Sequence, residues 1–204
     1  MKNFDNSYLS GSIKYIAGVD EAGRGPLAGP VVSAAVIFSE DMFIDGVNDS
    51  KQLTEKEREE LLPQIVDKAL AFSVSVVSHG VIDRINILQA SLLSMSIAVN
   101  RLKISPDLVL VDGNKTFSYI APTIPIIKGD TKSFAIASAS IIAKVSRDRI
   151  MKRLSEYFPY YLWYKNKGYP TKEHINAIRQ NGPSPLHRKT FLRKILFEDS
   201  NFKF

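Results

Sequence analysis

Four carboxylates in this chain stand where an apolar run stops beside a glycine. Asp20-Glu21 end the run from Tyr15 to Val19 and precede Ala22-Gly23-Arg24-Gly25-Pro26; Asp112 ends Leu108 to Val111 before Gly113; Asp130 follows Gly129 after Ile124 to Ile127. Strands that end side by side would bring these acids to one sheet edge, the place where ligands bind open α/β sheets. Crowded carboxylates repel and raise one another's pKa, so they call for a counter-charge. With no cysteine and only His79, His174 and His187 available, an all-oxygen set points to Mg²⁺ or Mn²⁺ rather than zinc. Such ions, often in pairs about 4 Å apart, activate a water and stabilise the leaving oxygen in phosphoryl transfer.

Two further features bear on this chemistry. Asp148 is a fifth candidate acid, but its i−4 neighbour is Lys144 and its i+4 neighbour is Lys152, which reads as structural ion pairing along a helix. If Asp130 opens the helix that carries Asp148, about 27 Å of helical rise separates them. Asp130, continuous with a strand end, is therefore the preferred ligand. Gly113-Asn114-Lys115-Thr116 looks like the end of a phosphate-binding P-loop, but Leu108 stands where its first glycine should be.

The elements that must position the acids follow from hydrophobic spacing. Residues 14–20 read as a strand that puts Asp20 and Glu21 on opposite faces, so both reach one site only if the strand ends there and the chain turns. Val31 to Phe38 and Phe72 to Val77 give two more strands, close enough in sequence for an antiparallel meander. Thr54-Glu55-Lys56-Glu57 is a capping box that starts a helix, with a kink or early stop at Pro63. Val81 to Leu102 spaces apolar residues by three and four, as one helix face requires. Leu108 to Val111 reads as an interior strand, and Pro125 puts Ile124 to Ile127 at an edge or strand start. A long helix from Thr131 to about Tyr157 opens with small residues that let it lie close to a sheet. A short helix follows Pro170-Thr171, and the tail to Phe197 is basic and amphipathic.

At 204 residues and 45% hydrophobic content the chain suits one globular domain. Pro159 offers a division between a core, residues 1–158, and a C-terminal helical extension, residues 159–204. The absence of cysteine fits a reducing compartment. Met1 to Ser12 lacks a signal pattern, and no apolar run approaches the roughly 18 residues that span a bilayer. A cytoplasmic protein without membrane contact is expected. The net charge is +6, and Lys144 to Lys194 holds 13 Lys and Arg against three acids, a stretch that attracts polyanions such as nucleic acid.

The motifs, in order, resemble the type 2 ribonucleases H, and among them the bacterial ribonucleases HII. The resemblance rests on Asp20 to Pro26, Asn48-Asp49-Ser50-Lys51-Gln52-Leu53, Val111 to Asn114, Lys128-Gly129-Asp130, Ala137 to Asp148, Lys167 to Thr171 and His187-Arg188-Lys189-Thr190-Phe191. Gln52 stands where many members carry lysine. The resemblance implies a ribonuclease H-like α/β fold, a mixed five-stranded sheet flanked by helices with a C-terminal helical extension. It implies hydrolysis of the RNA strand of RNA/DNA hybrids and cleavage 5′ of single ribonucleotides in duplex DNA, leaving 3′-hydroxyl and 5′-phosphate ends; a monomer is expected. Asp20, Glu21, Asp112 and Asp130 fall on the family's catalytic metal ligands. Gly23, Arg24 and Gly25 match its reader of the ribose 2′-hydroxyl, and Tyr169 the ring that stacks on the following deoxyribose; Ser50 and Lys51 match phosphate contacts. Other classes open at this point are a ribonuclease H-fold nuclease for branched DNA and a non-catalytic nucleic-acid-binding module. The Phe-containing segment Phe197 to Phe204 is a conceivable contact for a replication clamp.

Overall fold

The computed structural model describes residues 1–196. Helix α1 (Lys2–Asn6) precedes β1 (Ile16–Ala22) and β2 (Val31–Ile37). Then come α2 (Glu55–Lys68), β3 (Ala71–Val77), α3 (His79–Asn100), β4 (Leu108–Asp112) and β5 (Thr123–Ile126). A 3₁₀ turn, Gly129–Thr131, leads to α4 (Phe134–Tyr157). After it come α5 (Trp163–Asn166), α6 (Lys172–Asn181) and α7 (Lys189–Leu196).

The five strands form one sheet in the order β3-β2-β1-β4-β5. β3, β2 and β1 are the antiparallel meander, whereas β4 runs parallel to β1 and β5 parallel to β4. The carboxyl ends of β1, β4 and β5 therefore share one edge, and Pro125 sits on an edge strand, where its missing N–H costs no ladder bond.

Helix α4 lies on β1 by direct backbone approach. A Cβ added at Gly18 would fall 2.2 Å from the carbonyl carbon of Ala135, so only glycine fits beneath the helix's first turn. Ser133 caps α4 by accepting from Ile136 N, and the buried Asp5 of α1 accepts from Ala135 N at 2.9 Å. Asp130 thus lies before the helix rather than capping it. Phe134, Ala137, Ile141 and Val145 pack with Ala34 and Val36 on one sheet face, while Met95, Ala98 and Val99 of α3 pack with Ala17, Ala35 and Val109 on the other.

Two local expectations are corrected. Pro63 neither stops nor ends α2, which runs through it to Lys68; the proline is exposed, so the carbonyl it leaves unpaired can bond water while Leu61 and Ile65 anchor the buried side. Strand β1 does not end at Asp20 but carries both acids and Ala22. Helix α3 is long and apolar enough, by length and composition alone, to cross a bilayer; its Ile82, Ala90, Met95, Ala98 and Val99 are instead buried in the protein. The α3 backbone also breaks at Asn86, whose φ is 66°.

Candidate active site

The acids meet at the carboxyl edge because the strands run parallel there. Asp20, Asp112 and Asp130 each bring a carboxylate oxygen within 4.8 Å of the other two. Gly129 N donates to Asp112 Oδ1 at 2.7 Å, which ties the end of β4 to the turn that carries Asp130. That turn is entered through Lys128 in the left-handed region, φ 55°. Glu21 N donates to Asp20 Oδ1 at 2.6 Å. Pairing of β1 with β4 stops at Val19 opposite Val111. Beyond it, residues 20–22 are held only by β2, and this opening lets Asp20 and Glu21 line one cleft although they alternate along the strand.

The site carries more negative charge than its protein partners offset. Burial, then the neighbouring Glu21 and Asp112, push the Asp20 carboxyl well above the usual carboxylate range. Burial raises Glu21 against the opposing pull of Arg24, and burial with the Asp130 charge raises Asp112. Arg24 Nη1 reaches Glu21 Oε1 at 3.2 Å, but Glu21 Oε2 is buried with no hydrogen-bond partner. Lys51 Nζ lies 3.1 Å from Asp130 Oδ2 and 3.8 Å from Asp49. Burial works against the lysine's charge, yet the Asp130 hydrogen bond and charge prevail and push it up to about 12. An all-oxygen cluster, an orphaned carboxylate oxygen and uncompensated charge fit a hard divalent cation.

A cleft of about 320 Å³ runs from Asp20, Glu21 and Asp112 to Gly23, Arg24, Gly25 and Tyr169, with Lys51 and Lys144 along it. Gly23 turns with φ +101°, and a Cβ there would strike the Arg147 side chain at 2.1 Å. Two buried arginines hold this wall from behind. Arg188 donates to the carbonyls of Gly23 (2.7 Å), Arg24 (2.9 Å), Gly29 (3.0 Å) and Pro30 (3.2 Å). Arg147 donates to those of Pro30, Ala28 and Lys167. Burial, with the adjacent Arg147 charge, pulls Arg188 down to about 9.

Each residue singled out in the sequence has a definite place. Asp130 groups with Asp20 and Asp112, while Asp148 pairs with Lys144 at 2.8 Å. Ser50 is buried, its N–H bonding Ser140 Oγ and its carbonyl accepting from Arg58; Lys51 projects outward. Tyr169 is 39% exposed and faces the cleft rather than a core. The basic stretch is not one solvated face, since Arg147, Arg188 and Lys167 are buried within it. Arg147 and Arg188 escaped sequence reading because their partners are backbone carbonyls, all but one of them more than 100 residues away. The roles of His174 and His187 escaped because the rings are buried and bond each other, Trp163, Ser184 and the Tyr169 carbonyl, contacts that no local spacing announces.

Comparison with known proteins decides the family. The model of the family "Ribonuclease HII" matches residues 17–198. The chain belongs to the ribonuclease HII family. A ribonuclease HII of Caldicellulosiruptor saccharolyticus is 50% identical over 192 residues, covering 94% of each chain. The crystal structure of ribonuclease H2 from Pyrococcus horikoshii superposes with a TM-score of 0.75 at 32% identity, covering 90% of this chain and 98% of that one. A ribonuclease HII from Archaeoglobus fulgidus, solved in complex with PCNA, gives 0.71 at 27% identity over 86% and 94%. The fold is thus ribonuclease H-like, and ribonuclease HII membership makes the chain a metal-dependent nuclease, a hydrolase acting on RNA/DNA. The binding-module alternative falls with it.

Proposed function

We propose that Asp20, Glu21, Asp112 and Asp130 hold Mg²⁺ or Mn²⁺, and that the enzyme both degrades the RNA strand of hybrids and incises 5′ of single ribonucleotides in duplex DNA. The products carry 3′-hydroxyl and 5′-phosphate ends. A divalent cation bound there supplies Lewis-acid charge for hydrolysis of the phosphodiester. The chain's own residues do the rest. Gly23, Arg24 and Gly25 present a close-approach backbone to the ribose 2′-hydroxyl, the group that separates RNA from DNA. The Tyr169 ring packs on the next sugar, where a deoxyribose leaves more room than a ribose. Ser50 and Lys51 meet the phosphates, Lys51 from an exposed position at the cleft mouth.

One observation carries this reading: Asp20, Glu21 and Asp112 line a single cleft with the Gly-Arg-Gly loop and Tyr169, so a scissile phosphate at the acids places its sugar beside that loop and that ring. The division into a core and an extension carrying Tyr169 belongs to the same proposal, with Tyr161, Trp163, Ile178 and Leu192 packed on Leu27, Ala28 and Met151. The enzyme acts as a monomer in the cytoplasm. The segment suggested for a clamp contact, Phe197 to Phe204, lies outside the described residues.

A panel of duplexes tests the substrate reading: one ribonucleotide in DNA, all DNA, and a long RNA/DNA hybrid, each with and without Mg²⁺. Metal-dependent cleavage of the first and third is expected. Comparable cutting of the all-DNA duplex would favour a branched-DNA type of nuclease and refute the 2′-hydroxyl reader.

A further inference from the structure

Two consecutive residues, His187 and Arg188, hold both halves of the ribose-reading wall from inside the protein. Arg188 reaches the Gly23 and Arg24 carbonyls with its two terminal nitrogens, and its N–H donates to Leu27 O at 2.8 Å. His187 starts a chain of hydrogen bonds that ends on Tyr169. Ser184 N donates to His187 Nδ1 at 2.9 Å, with Ser184 Oγ also near that nitrogen, so the proton of the neutral ring sits on Nε2. That Nε2 lies 3.1 Å from His174 Nε2, which also accepts from Trp163 Nε1 at 3.0 Å. His174 therefore carries its proton on Nδ1 and donates it to the Tyr169 carbonyl at 2.9 Å. One tautomer of each ring fits the direction of every contact, with the single lone pair of His174 Nε2 shared between His187 and Trp163. Burial favours the neutral forms of both, and His187 is held down to about 3.

We propose that His187 and Arg188 act as one positioning element that sets the gap between Tyr169 and the Gly-Arg-Gly loop, and through that gap the preference for a ribonucleotide followed by deoxyribose. The proposal rests on the reading of Tyr169 and the loop given above. The loop is clipped to the same frame elsewhere: Leu27 N donates to Gly168 O at 2.8 Å, and Ala28 bridges His187. A shift of about 1 Å in such a frame can cost on the order of 10²-fold in rate. Neither residue lines the cleft, so both act through the wall they hold.

The test compares kcat/KM on a DNA duplex with one ribonucleotide against a long RNA/DNA hybrid, for His187→Ala, Tyr169→Ala and the double variant. Circular dichroism and Mn²⁺ titration verify the fold. His187→Ala is expected to lower the ratio of the two by about tenfold, and the double variant to match Tyr169→Ala within about twofold, as for residues acting in one unit. Arg188→Lys, which keeps the charge and loses the fork, lowers the ratio likewise. His187→Gln, whose amide can replace the Nε2 donor, keeps it. Equal losses on both substrates, or losses that multiply in the double variant, would overturn the proposal. An unchanged ratio in Tyr169→Ala itself would instead bring down the stacking reading, and the proposal with it.

Discussion

Gly25 faces the Tyr169 ring across the cleft so closely that a methyl group placed on its Cα would touch ring atom Cε1 at 3.6 Å. That is ordinary van der Waals contact, and Gly25 has no left-handed backbone to lose. Gly25→Ala should therefore fold as well as wild type while adding a methyl group to the cleft wall beside the Tyr169 ring. Its cleavage at a single ribonucleotide should fall by about tenfold or more, as expected for sub-ångström crowding of a reacting geometry. Gly23→Ala differs in kind, because it meets both a φ of +101° and the Arg147 side chain. It should lower stability by roughly 2 kcal/mol or more. Thermal unfolding and kinetics of both variants separate the two effects; a destabilised Gly25→Ala with normal kinetics would contradict the assignment.

The metal-free protein should be more stable once Asp20 loses its charge. Its carboxyl is raised above the unfolded value, so the native state binds the proton more tightly, and stability falls as pH rises from about 4 through the raised native pKa. Asp20→Asn keeps the Oδ1 acceptor for Glu21 N and should unfold at a higher temperature than wild type at pH 8, the difference vanishing toward pH 4. Saturating Mn²⁺ should reverse the order, since a ligand at 100 times its Kd stabilises by about 2.7 kcal/mol. Calorimetry with and without metal measures both; a variant less stable at pH 8 without metal would be the contrary result.

The histidine pair has the opposite pH sign. His174 and His187 are held below the usual imidazole value by burial, so the unfolded chain takes up protons that the folded chain refuses. The stability they contribute is complete above about pH 6.5 and is lost as pH falls from there toward 3. Replacing His187 by Gln should flatten this acid loss, read from unfolding midpoints between pH 7 and 4.

Asp148 should matter to the fold and not to the metal. Its pair with Lys144 is largely buried, and burial already pulls the lysine's pKa down. Asp148→Asn should cost about 1–3 kcal/mol by weakening that pair, with Mn²⁺ affinity unchanged. Lost metal binding in a folded variant would move Asp148 into the site in place of Asp130.

Much of this site was legible because strand ends and acids are local features. The runs before Asp20, Asp112 and Asp130 announce strands that stop at carboxylates, and the small residues opening α4 announce its close approach to Gly18. Pro63 misled because its cost depends on whether the orphaned carbonyl faces water, a tertiary fact. The face-sharing of Asp20 and Glu21 depended on where β4 lets go of β1. Least legible were Arg147 and Arg188, which look like two more surface cations in a basic stretch. Their burial is stabilised by main-chain carbonyls, which leave no mark in a sequence.

The central claim is that the carboxylates at the ends of β1, β4 and β5 form the metal centre that cuts. Asp112→Asn tests it most directly, because the amide keeps the Gly129 hydrogen bond while removing the charge. Mn²⁺ titration and cleavage of a single-ribonucleotide duplex, in one folded preparation, should show binding weakened and turnover down by about 10³-fold or more, comparable to losing a principal electrostatic stabiliser. Near-normal turnover in that preparation would contradict the account.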